Sequence, residues 1–205
     1  MLTNEVSIVY IDDIIQPQLS KYLDKHLKLK NVKKSYAEIE FKSESMTYED
    51  LLNNKIVQEA NLIIVDSRLF ENKTAKNGKF TGEEFKLILK KEYPYINVII
   101  ITQNIIPNIK YIKKYSSKDT KESSKKYYDN NLKDVIEENI TEIIEYRNIA
   151  KKLTNNAKID KFEIEKILNV LEGKKEYDKL SKKDIDNIIL NFQNLERAFM
   201  QKKKK

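Results

Sequence analysis

The 205-residue sequence contains no cysteine and a single histidine, His26. Without cysteine the chain has no disulfide bonds, no thiolate metal sites and no thiol nucleophile, which agrees with a reducing compartment. One histidine cannot form a histidine cluster around a metal ion. Any chemistry in this chain must therefore rest on other side chains.

Long apolar runs are also missing from the sequence. No run approaches the roughly 18 residues that a membrane-spanning helix needs, and Asn4 and Glu5 precede the first apolar stretch, unlike in a signal peptide. We therefore expect a cytoplasmic protein with no membrane partner. Hydrophobic residues make up 40% of the chain and charged residues 35%, a composition typical of a globular protein with a densely charged surface.

The formal net charge of +7 raises the question of a nucleic-acid partner. The segment from residue 154 onward would be neutral without its four terminal lysines, Lys202 to Lys205. Such a tail binds anions weakly and without sequence preference, so we interpret it as a solubilising terminus. The later helices also lack a helix-turn-helix pattern with a basic second helix, which argues against nucleic acid as the partner.

Two periodicities divide the chain, because strand and helix patterns alternate up to about residue 115 and only helix patterns follow. Strands are predicted at residues 6–11, 36–41, 62–65 and 96–101. This alternation predicts an α/β fold with a doubly wound parallel sheet, in which functional groups gather beyond the carboxyl ends of the strands. Asp12, Asp13, Asp66 and Thr102 all stand at such ends.

Helices are predicted between these strands and throughout the second part of the chain. An amphipathic pattern covers residues 18–29, and Thr47 with Asp50 and Thr81 with Glu84 form possible capping boxes. Residues 70–80 are predicted to form a long polar loop. A helix over about residues 132–149 is long enough to project from the domain, and helices are predicted at about residues 161–172 and from residue 184. We divide the chain into an α/β domain over residues 1–120 and an α-helical extension or output region over residues 121–205, which ends in the basic tail.

Three carboxylates at the ends of the first and third strands would converge if those strands are neighbours. Asp12, Asp13 and Asp66 would then offer the oxygen ligands that Mg²⁺ prefers. Asp66 could also act as a nucleophile toward a phosphohistidine and form an aspartyl phosphate. The hydroxyl of Thr102 and a lysine on the next strand would contact the phosphoryl oxygens.

The segments YIDD, IIVD, TGEEFKLILKKEYP, VIIIT and YIKK, spread over residues 5 to about 115, resemble the receiver domains of two-component response regulators. The resemblance implies a five-stranded, flavodoxin-like parallel sheet with Asp66 as the phospho-acceptor. It also implies that Asp12 and Asp13 bind Mg²⁺ together with Asp66, and that Thr102 is the conserved hydroxyl.

For the fifth strand, the resemblance places Tyr111 at the switch position of the receiver family and Lys114 at its conserved lysine, with Lys113 as the fallback. Gln103 stands where the family prefers a small residue, and Tyr115 replaces a proline that usually follows the lysine. About seven residues separate Thr102 from this strand, which is too few for a full crossover helix. Either the fourth helix is vestigial or the fifth strand lies elsewhere.

The resemblance implies a signalling protein in a two-component phosphorelay, which is no enzyme beyond its own phosphorylation and dephosphorylation at Asp66. The implied phosphoryl donor is a cognate histidine kinase or phosphotransfer protein. The C-terminal helices would bind another protein, or a second copy of the chain in a homodimer. The alternative is a degenerate receiver-like interaction module that does not accept phosphate, which Gln103 and the short connection favour. A metal-dependent phosphatase or nuclease ranks last, because Ile14 after Asp13 breaks the Asp-x-Asp spacing common in haloacid-dehalogenase-like enzymes.

Overall fold

A computed structural model describes residues 5–69, 81–103 and 111–154, together with residue 164. The chain divides into two compact units, Met1–Gly173 and Lys174–Lys205, and all described residues lie in the first. The strands of this part are β1 (Glu5–Asp12), β2 (Lys33–Glu40), β3 (Leu62–Asp66), β4 (Asn97–Thr102) and β5 (Ile112–Lys113). They form one parallel sheet in the order β2-β1-β3-β4-β5. This is the receiver/flavodoxin-like order, and it confirms the predicted fold class.

Helices cover both faces of this sheet. They are α1 (Pro17–Lys21), a π-helical turn (Tyr22–His26) that continues it, α2 (Tyr48–Asn53), α3 (Lys55–Gln58), α4 (Gly82–Glu92), α5 (Ser124–Asn131) and α6 (Lys133–Thr154). Both predicted capping boxes are present, at Thr47 with Asp50 and at Thr81 with Glu84. Each box satisfies backbone N–H groups that the first helical turn leaves without partners.

The sheet separates two apolar clusters, because successive side chains of a strand point to opposite faces. On one face Val9 and Ile11 of β1 pack with residues of α2, α3 and α4, including Leu51, Val57 and Phe85. On the other face Ile8 and Tyr10 pack with the π-helical turn, α5 and α6. All five residues of β3 are buried, as predicted for a central strand with helices on both sides.

The helix predicted over residues 18–29 ends earlier than its apolar pattern suggests. Lys34 on β2 donates hydrogen bonds from Nζ to the carbonyl oxygens of Leu23 and Asp24. These carbonyls would otherwise accept from the next helical turn. The backbone N–H of Leu27 instead closes a π-type bond to the carbonyl of Tyr22 at 2.8 Å, and the chain leaves the helix there.

The predicted long helix at residues 132–149 does not project from the sheet. Its apolar stripe is buried at Leu132, Ile136 and Ile140, in the same cluster as Tyr10. Burying side chains of this kind contributes roughly 1.5–3 kcal/mol each, which explains why α6 lies along the sheet. The division of the chain after residue 120 stays a prediction.

Several predicted features lie outside the described residues. These are the loop at residues 70–80, the connection at residues 104–110 and the helices predicted at about 161–172 and from residue 184. Among the described helices, none combines the length and the apolar character that crossing a membrane requires.

Candidate functional site

The order and register of the strands bring the predicted site residues to one edge of the sheet. Strands β1 and β3 are adjacent, so their last residues, Asp12 and Asp66, end side by side. Strand β4 follows and ends at Thr102. In β5, Lys113 pairs with Thr102, which places Lys114 one residue beyond the strand. Residues more than 100 positions apart in the sequence therefore meet at this edge.

A buried lysine bridges two of the carboxylates. Lys114 Nζ lies 2.7 Å from Asp12 Oδ2 and 2.7 Å from Asp66 Oδ1. All three residues are buried, so the attraction between these charges is screened little by solvent. Lys113, the fallback, instead pairs with Asp119 at 2.8 Å in a partly exposed position. The structure thus brings Lys114 and not Lys113 to the acidic residues.

Asp13 joins these two carboxylates in an acidic cluster. Asp12, Asp13 and Asp66 each offer a carboxylate oxygen, and these oxygens lie within 4.8 Å of one another. Three carboxylates therefore gather around the Lys114 ammonium, with Arg68 also at the cleft. A set of carboxylate oxygen ligands suits a hard divalent cation such as Mg²⁺, so these residues fit the predicted metal.

A cleft of about 450 Å³ opens beside the acidic cluster. Its lining includes all three aspartates together with Thr102 and Lys114. Arg68, Gln103 and the segment from Ile14 to Pro17 line it as well. Asp66 is therefore buried at the wall of a space that has room for a small anion and a hydrated ion.

The two oxygens of Asp66 already have partners within the protein. Oδ1 accepts from Lys114, and Oδ2 accepts from the backbone N–H of Arg68 at 2.8 Å. Such bonds fix the orientation of the carboxylate at the cleft. Each oxygen keeps a second lone pair, so a carboxylate oxygen of Asp66 can still attack an incoming group.

Burial is the largest influence on the pKa of two residues at the site, Asp12 and Tyr10. Burial raises the pKa of Asp12, and the nearby Lys114 ammonium acts in the opposite direction. Burial, reinforced by the Asp12 carboxylate, raises the pKa of Tyr10. The Tyr10 hydroxyl therefore keeps its proton at neutral pH, and it donates this proton in a hydrogen bond to Asp12 Oδ2.

Tyr111, the predicted switch residue, lies away from the cleft lining. It packs against the apolar cluster beneath α4. Burial and a hydrogen bond to the Glu83 carboxylate raise the pKa of Tyr111 to about 12. Glu83 also accepts from Ser67 Oγ at 2.7 Å, so one carboxylate contacts both Tyr111 and the residue that follows Asp66.

Sequence reasoning did not select Tyr10, Glu83 or Gly82 as parts of the site. Tyr10 had a usable signal, because residues two apart on a strand share a face and Tyr10 precedes Asp12 by two. Glu83 had none, because its role depends on how the start of α4 docks, whereas Gly82 matches a glycine in the receiver pattern that segment 81–94 resembles. The Gly82 N–H donates to the Ser67 carbonyl at 2.8 Å, and a Cβ atom at Gly82 would lie 2.3 Å from the Asp66 carbonyl oxygen.

Comparisons with known proteins give a match only among solved structures. No protein-family model and no curated protein matches the sequence. The chain is distantly similar to a DNA complex of the two-component response regulator RcsB, at 15% identity and a TM-score of 0.38, covering 83% of this chain and 93% of that chain. RcsB from Salmonella enterica serovar Typhimurium, bound to a promoter in the presence of the phosphomimetic BeF3-, gives 14% identity and a TM-score of 0.36, covering 91% and 97%. These values assign no activity to the chain.

Proposed function

We propose that this chain is a response-regulator-like signalling protein that accepts a phosphoryl group on Asp66. The observation that carries the proposal is the contact of Lys114 Nζ with both Asp12 and Asp66, at 2.7 Å each, beside Asp13 and the cleft. Stability of the sheet alone does not require a buried lysine between two strand-end aspartates, because apolar residues of similar volume could fill the same space without lowering the free energy of unfolding.

The reaction would be an attack by a carboxylate oxygen of Asp66 on the phosphorus of a phosphohistidine or of acetyl phosphate. The new bond joins this oxygen to phosphorus while the bond from phosphorus to the leaving group breaks. The leaving group keeps the electron pair, and a histidine leaving group then takes up a proton. Lys114 would pair with a phosphoryl oxygen, and the hydroxyl of Thr102 would donate to another.

Asp12, Asp13 and Asp66 would hold Mg²⁺ through their carboxylate oxygens. The bound ion would offset the negative charge that the phosphoryl group adds to an already acidic cleft. Within the protein, burial and the hydrogen bond from Tyr10 keep Asp12 in place for this role.

The output would be a change in protein contacts. Phosphorylation would draw Thr102 toward the new phosphoryl oxygens, and Tyr111 would exchange its bond to Glu83 for a position that follows Thr102. We propose a histidine kinase or phosphotransfer protein as the donor. The C-terminal helices would carry the output to another protein or to a second copy of the chain.

Labelling with radioactive acetyl phosphate tests the proposal. The native protein should take up label in the presence of Mg²⁺ and lose this capacity when a chelator removes the ion. Asp66→Asn should take up none. Asp119→Asn is the matched control, because Asp119 pairs with Lys113 at a half-exposed position, and it should label as the native protein does. Equal labelling of the native protein and Asp66→Asn would contradict the proposal.

The alternative is a receiver-like interaction module that does not accept phosphate. It is favoured by the fact that both oxygens of Asp66 accept hydrogen bonds within the protein, and by Gln103 at the cleft. In this case Lys114 would serve only to neutralise the buried aspartates. Neither label nor Mg²⁺ would then bind to the native protein, which distinguishes the two functions.

A further inference from the structure

A chain of hydrogen bonds, buried at Tyr10 and Asp12 and partly buried beyond them, runs from the acidic cluster to helix α5. Tyr10 donates to Asp12 Oδ2, and the Tyr10 hydroxyl oxygen accepts from the backbone N–H of Gln16 at 3.3 Å. The Gln16 side chain then accepts from the Tyr128 hydroxyl at 2.6 Å and donates to the Tyr115 carbonyl at 2.8 Å. The Tyr128 hydroxyl oxygen accepts from the Tyr115 N–H at 3.0 Å, which closes the network.

We propose that Tyr10 is a positioning residue for Asp12 as a magnesium ligand, and that Gln16 and Tyr128 couple this position to helix α5. The inference rests on the proposed function, because it assigns these residues to the same Mg²⁺ site. It adds a hydrogen-bonded connection through which metal binding at the site would change the contacts of helix α5.

The contacts of Asp12 explain why Tyr10 would matter for the metal. Tyr10 and Lys114 both donate to Oδ2, whereas among the described residues Oδ1 accepts a single long bond of 3.4 Å, from the backbone N–H of Ile14. The carboxylate is thus held at one oxygen, which leaves the other oxygen as the natural metal ligand. Replacing a residue whose hydrogen bond orients a metal ligand typically weakens metal affinity by about 10–100-fold.

Tyr10 is the second donor to Asp12 Oδ2, beside Lys114. It is fully buried, and its ring lies on the face of β1 that packs against the π-helical turn and α5. Its hydroxyl donates to Asp12 and accepts from Gln16 at the same time, so removing the oxygen would break both contacts. Asp12 Oδ2 would then keep the bond from Lys114, and the Gln16 N–H would lose its bond to the Tyr10 hydroxyl.

Tyr128 contacts both segments that carry the site. Through Gln16 it touches the segment after β1, and through the N–H of Tyr115 it touches the residue next to Lys114. A shift of Asp12 or Lys114 on metal binding would therefore change the surroundings of the Tyr128 hydroxyl on α5. Because coupling between sites is reciprocal, changing Tyr128 should in turn change metal affinity.

Tyr22 provides a matched control. It is fully buried and on the same face, and its ring packs on that of Tyr128 with centroids 5.3 Å apart. Its hydroxyl, however, donates to Asp129 at 3.0 Å and has no contact with Gln16. Tyr22→Phe thus removes a hydroxyl whose partly buried bond lies outside the network, and it keeps the ring that packs on Tyr128.

The test measures Mg²⁺ binding by calorimetry and amide hydrogen exchange in α5 for the native protein, Tyr10→Phe, Tyr128→Phe and Tyr22→Phe. We expect Tyr10→Phe to raise the Mg²⁺ dissociation constant by roughly 10–100-fold. Tyr128→Phe should raise it by a smaller factor, because it acts through Gln16, and Tyr22→Phe should leave it unchanged. Mg²⁺ should slow exchange in α5 of the native protein but not of Tyr128→Phe.

Each outcome decides the inference. If the native protein does not bind Mg²⁺, the proposed function and this inference fail together. If the native protein binds and Tyr10→Phe binds equally well, or Tyr22→Phe loses as much affinity as Tyr10→Phe, only this inference fails. If Tyr10→Phe does not fold, Tyr128→Phe decides, because an unchanged affinity in that variant overturns the coupling. Unchanged exchange in α5 of the native protein on adding Mg²⁺ would overturn it as well.

Discussion

Replacing Gly82 with alanine adds one methyl group where helix α4 meets the end of strand β3. The added Cβ atom would lie 2.3 Å from the carbonyl oxygen of Asp66 and 3.0 Å from the Cα atom of Ser67. Real Cβ atoms essentially never approach other atoms closer than 3.0 Å. Both contacts involve backbone atoms, which cannot rotate out of the way as a flexible side chain would.

Two opposing effects determine the sign of this substitution. Alanine in place of glycine in an unstrained helix usually stabilises a protein by about 0.4–1 kcal/mol. Here, however, α4 and β3 have to separate by about 0.7 Å to relieve the contact, in an interior packed as densely as a crystal. Overpacking of this kind costs about 1–3 kcal/mol. The midpoints of these ranges, about 2 and 0.7 kcal/mol, lead us to expect that Gly82→Ala lowers the free energy of unfolding by about 1.3 kcal/mol.

Urea unfolding measures this change, and acetyl-phosphate labelling measures its effect on Asp66. Gly82→Ala should lower the unfolding midpoint without changing the slope, and it should slow labelling because the main chain at Asp66 has to move. Leu87→Ala is the control, because Leu87 lies on the same helix with its side chain 71% exposed. A Gly82→Ala variant as stable as the native protein would refute the close docking of α4 on β3.

Further substitutions test the ion pair, the protonation of the site and the packing of α6. Lys114→Met should lower the free energy of unfolding in urea by about 3–5 kcal/mol, because it leaves buried carboxylates without a cation. The same change at Lys113, whose ion pair with Asp119 is partly exposed, should lower it little. Burial raises the pKa of Asp12 above its ordinary value of 3.8. The stability that this shift contributes is therefore fully present below pH 3.8 and is lost as the pH rises through the raised pKa. In metal-free buffer Asp12→Asn should therefore be more stable than the native protein at neutral pH. If this gain in the free energy of unfolding does not shrink toward acid pH, the raised pKa of Asp12 is contradicted. Ile136→Ala should lower the free energy of unfolding by about 2–5 kcal/mol. Ile149→Ala, at a half-exposed position of the same helix, should lower it much less. Equal changes in the thermal unfolding midpoint for the two variants would show that α6 does not pack on the sheet.

Much of the site could be predicted from the sequence because a parallel sheet collects the ends of its strands at one edge. Buried strands are recognisable as short β-branched runs, so Asp12, Asp66 and Thr102 could be placed at strand ends without knowing the fold. Lys114 needed the resemblance to the receiver family, because a two-residue strand carries almost no periodic signal.

Features that depend on contacts between distant elements could not be predicted. The early end of the first helix depends on Lys34, which reaches the carbonyls of that helix from the neighbouring strand. The packing of α6 on the sheet could not be predicted either, because an apolar stripe on a helix does not identify the surface against which it packs. Gly82 belongs to a segment that resembles the receiver pattern, but its close approach to the Asp66 carbonyl is seen only in the structure.

The most direct test of the account identifies the residue that carries the phosphoryl group. After labelling with acetyl phosphate and Mg²⁺, reduction with borohydride converts an aspartyl phosphate to homoserine, which peptide mass spectrometry locates. The account predicts homoserine at position 66 in the native protein and at no other aspartate. Homoserine at Asp12 or Asp13, or label without any conversion at position 66, would contradict it.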